Sequence, residues 1–308
     1  MRDKALILHI AVLAVLAGAQ WVLPDYHHTN AARIMLLAVY AMGYNLLLGY
    51  TGLMSLGHAM FFAAGMYATG LSVYYWEFSA AAAFVFGIAG AALYALIFGS
   101  FALRTRGVSF LIVTMMFGQA TYLTILYCNT VTLGDQGFTL AKHLPAYWAQ
   151  PAVKYNLALA AFTVALLLCL AVVRSPFGRV LVAIRENEDR ARLLGYNTYA
   201  YKLAALVFSA VLAGAAGGAY ALVFSYVGAS FAATLHSISP LLWSLLGGAG
   251  TTLGPLLGTG LMYYLIDLTS SITYAYLFVV GLVLLALVLF FPQGILGFVR
   301  GKFLPWLP

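Results

Sequence analysis

The chain has 308 residues, of which 64% are hydrophobic and only 7% charged. Soluble domains carry about 25% charged residues, so a water-soluble fold is excluded: lipid must be the solvent for much of this chain. The excess of 15 Lys and Arg over 8 Asp and Glu would suit nucleic acid in a soluble protein, but here the basic residues sit in a few short loops between apolar runs, which is the positive-inside pattern.

The first apolar run covers residues 5–23 and is long enough to span a bilayer. Arg2 and Lys4 precede it, and Ala17-Gly18-Ala19 resembles a signal-peptidase site. Its length favours a retained first helix. A second run covers 31–48. It is followed by Gly49-Tyr-Thr-Gly52-Leu-Met-Ser55-Leu-Gly57-His58, too polar and glycine-rich for a helix centre. A third run covers 59–75, and a fourth covers 80–103 and stops at Arg104-Thr105-Arg106-Gly107. The fifth, 108–127, leads into a polar outer loop over 128–154. The sixth is 155–173, and the charged segment 174–202 separates it from the seventh, 203–224. The run 238–246 is short for a span and ends in a second break, Gly247-Gly-Ala-Gly250-Thr-Thr252-Leu-Gly254-Pro255. Runs over 256–268 and 274–291 finish the apolar part, and the tail 292–308 carries Arg300 and Lys302. The fold class is an all-α integral membrane protein. It is one membrane domain over 1–308, of about ten segments, some short or broken.

Orientation follows from the basic residues. If all ten segments cross, one side holds Arg2, Lys4, Arg104, Arg106, Arg174, Arg179, Arg185, Arg190, Arg192, Lys202, Arg300 and Lys302. The other holds Arg33, Lys142 and Lys154. The rule then puts both termini in the cytoplasm. The two breaks are alike: Gly49-x-x-Gly52 before Ser55-Leu-Gly57, and Gly247-x-x-Gly250 before Thr252-Leu-Gly254. Interrupted segments in corresponding halves suit a transport pathway; glycines that only let helices pack closely are the plainer reading.

Ion-coupled transporters place carboxylates or His in the membrane interior. Here Asp3, Glu186, Glu188 and Asp189 fall on the cytoplasmic side, while Asp25, Glu77, Asp135 and Asp267 fall at or near outer ends. A self-contained ion-coupled carrier is therefore disfavoured, with Asp267 or His58 as the groups it would use. No His-Glu-x-x-His or Gly-x-Ser-x-Gly occurs, so no enzyme is indicated. Adjacent His27 and His28 would point about 100° apart on a helix, so no metal site is expected. Cys128 and Cys169 give no disulfide framework. Gly-x-x-x-x-Gly-Lys is missing too, so no ATP or other cofactor is expected on this chain.

The segment 174–195 reads as two short helices outside the bilayer. Ser175 caps a helix with Pro176 at its first position. Leu181 and Ile184 give an apolar stripe. Asn187 caps a second helix with Glu188 and Asp189 in its first turn, and Gly195 stops it. Cap, stripe and stop in succession suit a docking element better than a solvated linker.

With Ala-Ile-Arg185-Glu-Asn-Glu188, Leu-Gly195 and Tyr-Lys-Leu203, this segment is similar to the cytoplasmic loop of the branched-chain amino-acid ABC permeases of the LivM type. Asn45-Leu-Leu-Leu-Gly-Tyr-Thr-Gly-Leu-Met-Ser-Leu-Gly-His58 resembles that family as well. So do Leu103-Arg-Thr-Arg-Gly107, Phe208-Ser-Ala with Ala-Gly-Ala-Ala-Gly217, and Leu246-Gly-Gly-Ala-Gly-Thr with Gly-Pro255. The blocks cover most of the chain in the family's order. Phe291-Pro-Gln-Gly-Ile295 resembles the family's tail, with Phe290-Phe291 where a basic residue usually precedes the proline.

The resemblance implies a multi-pass protein of the bacterial inner membrane, working with a second related permease as a heterodimer. It implies two ATPase subunits that bind ATP and Mg, and an extracytoplasmic solute-binding protein. The cytoplasmic helix would be the coupling helix, with Arg185, Glu186, Asn187, Glu188 and Gly195 as ATPase contacts, and transport would alternate access across the membrane. The solutes implied are branched-chain or other small amino acids; urea, short amides and small organic acids are carried by relatives. Asn45, Thr51, Ser55, His58, Thr114 and Gln119 are the polar residues that could line a substrate path. A Ser, Thr or Asn in a span also bonds its own backbone or a neighbouring helix, and both uses stand open.

Overall fold

The computed structural model describes residues 2–22, 24–290 and 293–302. Residue 23, where the first run ends, and residues 291 and 292, which open the tail motif, lie outside the described residues, as do 1 and 303–308.

Fourteen α-helices follow in order among the described residues. They are α1 (Arg2–Ala19), α2 (Asp25–Asn45), α3 (Ala59–Trp76), α4 (Ala80–Ala102), α5 (Val108–Tyr127), α6 (Asn129–Thr132) and α7 (Pro151–Arg174). Then come α8 (Pro176–Glu186), α9 (Glu188–Leu193), α10 (Thr198–Phe224), α11 (Thr234–Gly247), α12 (Gly254–Ile272), α13 (Tyr276–Phe290) and α14 (Ile295–Lys302). Each of the ten apolar runs is helical, in an all-α membrane fold. Among the described residues, five helices are long and apolar enough to cross a membrane: Asp25–Thr51, Ala80–Ala102, Val108–Tyr127, Pro151–Arg174 and Thr198–Phe224.

Several helices start earlier than hydropathy alone predicts, because prolines and polar caps define starts that hydropathy does not register. Pro24 cannot continue a helix backwards, so α2 opens at Asp25, six residues before its apolar run. Asn197 accepts a hydrogen bond from the Ala200 amide at 3.1 Å, so α10 begins at Thr198 rather than 203. Its 27 residues reach about 40 Å, more than the hydrocarbon thickness of about 30 Å, so one end stands in the polar layer. By contrast α11 has 14 residues, about 21 Å, and cannot cross alone. Pro240 lies inside it.

The centre of the bundle is α2 and α10, whose spanning windows are 83% and 78% buried, against 22–33% for α4, α5 and α7. The latter three therefore form the lipid-facing shell. Sequence explains the packing. On α4 the buried residues are Ala83, Gly87, Ala91, Ala95, Gly99 and Ala102, a stripe of small residues at near-fourfold spacing that lets helices approach closely. It packs on α3 and α10. The α3–α10 contact is closer still: a Cβ on Gly65 would lie 2.2 Å from the Gly214 carbonyl oxygen.

The polar loop 128–154 is folded. Strand β1 (Phe138–Thr139) pairs antiparallel with β2 (Tyr226–Val227), just beyond α10. Leu140 adds an amide bond to the Ser225 carbonyl at 2.8 Å. The two cysteines are both free, Cys128 exposed and Cys169 buried.

Candidate functional site

The two glycine-rich breaks meet in space. After Asn45 the backbone widens into a π-helical turn over Leu46–Thr51. Gly52 closes it at φ +73°, where a side chain would be strained. An extended stretch then leads to α3. In the second break Gly248 and Gly250 take φ +117° and +77° before α12 begins at Gly254. Thus the second glycine of each Gly-x-x-Gly pair is left-handed. Gly49 and Gly250 touch through their backbones: a Cβ on Gly49 would stand 2.3 Å from the Gly250 nitrogen.

Asn45 ties the breaks together. Its Oδ1 accepts from the Gly250 amide at 2.9 Å and its Nδ2 donates to the Thr251 carbonyl at 2.8 Å. Both ends of the amide are therefore used on one loop, with the side chain buried. Thr51 donates to the Leu46 carbonyl across the π turn at 3.0 Å. Ser55 is buried and receives a long bond from the Gly57 amide at 3.4 Å. Thr114 on α5 donates to the Leu111 carbonyl at 2.9 Å and receives the Leu56 amide at 3.3 Å. His58 puts Nε2 3.3 Å from the Ser209 hydroxyl and stacks on Tyr40, whose other neighbour is the His236 ring. Five of the six candidate path residues therefore gather around the first break, each bonded to backbone or to a neighbouring helix. Gln119 is apart from them: exposed on α5, it accepts from Thr234 at the start of α11 at 3.0 Å.

The charged segment forms the two helices that its caps foretell. Ser175 accepts from the Gly178 amide at 3.2 Å, and Val180, Leu181 and Ile184 bury the apolar face of α8. Asn187, extended at φ −160°, accepts from the Arg190 amide at 2.8 Å and so opens α9. Gly195 at φ +88° ends it, with open space around its Cα.

Arg185 connects this segment to the breaks. Its guanidinium donates to the Gly49 carbonyl and, through Nη2, to Glu186 at 2.8 Å. A cavity of about 450 Å³ opens there, lined by Arg185, Glu186, Asn187 and Glu188 together with Thr51 and Arg106. A second, of about 390 Å³, lies on the other side of Arg185 against Gly250 and Arg300. Of the five proposed contacts, four thus share one cavity and Gly195 does not. Glu188 is a hub: it accepts from Lys202, from Arg192 at 3.1 Å and from Thr198 at 3.1 Å. Partial burial pushes its carboxyl up, but the Lys202 ammonium, the Thr198 hydroxyl and Arg106 outweigh that and hold it below the usual glutamate value.

Two features escape a reading by motif. Leu193 and Leu194, at the turn between α9 and Gly195, are 89% and 71% exposed. Ser209, which supports both His58 and the Gly43 carbonyl, belongs to the Phe208-Ser-Ala block, but nothing in that block marks its partners. The candidate groups of the ion-coupled alternative are far apart in role. Asp267 accepts from Tyr26 at 2.9 Å at the outer ends of α2 and α12. His58 is buried near the first break. Among the described residues no cluster of three or more His, Cys, Asp or Glu could hold a metal.

Comparison with known proteins shows the family. Residues 28–291 match the family described as branched-chain amino acid transport system / permease component. The chain is similar to the high-affinity branched-chain amino acid transport system permease protein LivM of Salmonella typhimurium. The two are 26% identical over 301 residues, covering 88% of this chain and 70% of the relative. It is also similar to the protein of the same name from Escherichia coli, 25% identical over 320 residues, 95% of this chain and 75% of the relative. No solved structure gives a significant match.

Proposed function

The chain belongs to the family of permease components of branched-chain amino-acid transport systems, and from that premise we propose that it is the membrane-spanning subunit of an ATP-driven importer of branched-chain or other small amino acids. It works with a second permease, two ATPase subunits that carry ATP and Mg, and a solute-binding protein outside. Both termini and the α8–α9 segment face the cytoplasm, in keeping with the twelve basic residues on that side.

The observation that carries the reading is the Arg185 bridge. An exposed two-helix element with uncovered leucines is bonded directly to the junction of the two breaks. A partner that grips α8 and α9 through Glu186, Asn187, Glu188 and the Gly195 turn would move Arg185, and with it Gly49. The Asn45 amide passes that movement to Gly250 and Thr251. Opening and closing of the paired breaks then exposes Asn45, Thr51, Ser55, His58 and Thr114 to one side or the other. The bonds these residues make in the closed arrangement become exchangeable for bonds to solute. ATP and the binding protein shift the population between the two arrangements.

The test is a mild-detergent pull-down from native membranes, paired with uptake under two energy conditions. The importer reading expects a second permease and nucleotide-binding subunits in the pull-down, lost when 185–195 is disrupted, and uptake that stops on ATP depletion. Recovery of the active chain alone, with uptake that collapses under an ionophore and survives ATP depletion, would replace it with the ion-coupled carrier.

A further inference from the structure

On the opposite side of the bundle from α8, two cations lie over one aromatic ring. The Arg33 guanidinium carbon is 4.9 Å from the centroid of Phe224, and the Lys154 ammonium is 5.9 Å from it. Arg33 is eight residues into α2, about 12 Å along the axis from Asp25, and half-buried, with its Nε shielded from solvent. Phe224 ends α10, Lys154 is in the first turn of α7, and Tyr263 on α12 closes the cluster.

The hydrogen-bond inventory is one-sided. Arg33 Nη1 donates to the Tyr263 hydroxyl at 3.3 Å, and that hydroxyl donates to Asn30 Oδ1 at 3.1 Å. Two buried donors have no partner: Arg33 Nε and Asn30 Nδ2, on an asparagine that is only 7% exposed. Among the described residues, no carboxylate forms an ion pair with Arg33 or Lys154. Charges at membrane depth are costly and mark ligand routes when they have no internal partner. Buried donors left unmade are costly as well. Positive charge and unused donors together specify an acceptor that carries negative charge. A guanidinium edge beside an amide N–H₂ suits the two oxygens of a carboxylate.

We propose that Asn30, Arg33 and Lys154 form a carboxylate-binding site in the outer part of the bundle that holds the α-carboxylate of the solute before it passes inward. The choice of solute rests on the importer reading above; the anion chemistry does not. Phe224 and Tyr263 form the wall that orients Arg33. The same oxyanion chemistry is offered by a lipid phosphate, so the test separates the two sources.

The full chain, purified in neutral detergent at fixed ionic strength, is heated with increasing sodium isovalerate and, in parallel, with isovaleramide, which has the same shape but no charge. The expected result is a Tm that rises with isovalerate and not with isovaleramide. In Arg33→Gln the apparent affinity should fall at least about tenfold, with a smaller fall in Lys154→Gln. Equal shifts with both compounds, no shift with either, or a shift that both variants retain would overturn the site. Stabilisation by phosphatidylglycerol without any by isovalerate would assign the cations to a headgroup and also overturn it. If Arg33→Gln does not fold, Lys154→Gln and the carboxylate–amide comparison on the unaltered chain still decide. Isovalerate binding in a protein whose uptake proves independent of ATP would sink the importer reading and leave this site standing.

Discussion

Replacing Arg185 by alanine removes the side-chain hydrogen bond that joins α8 to the first break. A hydrogen bond from a charged donor contributes about 1.5–3 kcal/mol net. Cavities of about 450 and 390 Å³ flank Arg185, so water can take over part of the Gly49 carbonyl's bonding and the lower end of that range applies. A loss of about 1.5 kcal/mol in the coupling between α8 and the break is roughly tenfold. The assay is the complex reconstituted with its ATPase and binding protein, with leucine uptake and ATP hydrolysis measured together. Arg185→Ala should hydrolyse ATP at near the unaltered rate while uptake per ATP falls about tenfold. Arg185→Lys should fall between the two, because an ammonium keeps the charge but not the fork that holds Gly49 and Glu186 at once. A folded Arg185→Ala complex with an unchanged ratio of uptake to hydrolysis would refute the bridge.

The junction itself tolerates no added atom. Gly49→Ala would drive a methyl to 2.3 Å from the Gly250 nitrogen, and overpacking of this kind costs about 1–3 kcal/mol; a lowered Tm in detergent checks it, and an unchanged Tm contradicts the backbone contact. Leu193→Asp with Leu194→Asp should leave Tm unaltered, since both side chains are largely exposed, yet abolish co-purification of the ATPase. Retained co-purification would move the docking surface elsewhere. Glu188→Gln breaks the hub with Lys202, Arg192 and Thr198 and should cost about 1–2 kcal/mol of stability. Because the carboxyl of Glu188 is held below its ordinary value of 4.5, its contribution is present at neutral pH and is lost as pH falls through that lowered value. The Tm gap between the unaltered chain and Glu188→Gln should thus close on acidification, and a gap independent of pH would count against the ion pairs.

Local rules carried the reading of 174–195 well. Ser175, Asn187 and Gly195 act on amides and carbonyls within four residues of themselves, so composition and order suffice to place α8 and α9. The two breaks were also visible, because each combines glycines with polar residues or a proline; glycine alone does not break a helix, as Gly214, Gly217 and Gly218 inside α10 show. Their meeting was not. Asn45 bonds residues more than two hundred positions away, and nothing local to Asn-Leu-Leu-Leu marks its partner. Helix starts were missed where the residue that sets them lay outside the apolar run, as at Pro24 before Asp25 and Asn197 before Thr198. Arg33 entered only the tally of outer charges, because a single arginine in an apolar run does not disclose whether a carboxylate faces it. The expected ATPase contacts were chosen by position in a motif, which does not separate Glu188, turned inward to Lys202, from Leu193 and Leu194, turned outward.

The burial of α2 has a consequence for biosynthesis. This helix, carrying Asn30, Arg33 and Asn45, leaves the ribosome before all the surfaces that cover it, which come from α7 and then from α10, α11 and α12. The partner of Asn45 begins near residue 250, about two hundred residues later, or roughly 10–40 s at bacterial elongation rates. For that interval a helix whose polar groups suit a protein interior has no interior to occupy. Release into lipid would leave those groups unmet, at a cost of several kcal/mol for each unsatisfied one. The insertion machinery therefore has to shelter α2 until α10 to α12 arrive, and chains truncated before α12 should turn over faster than their hydropathy implies.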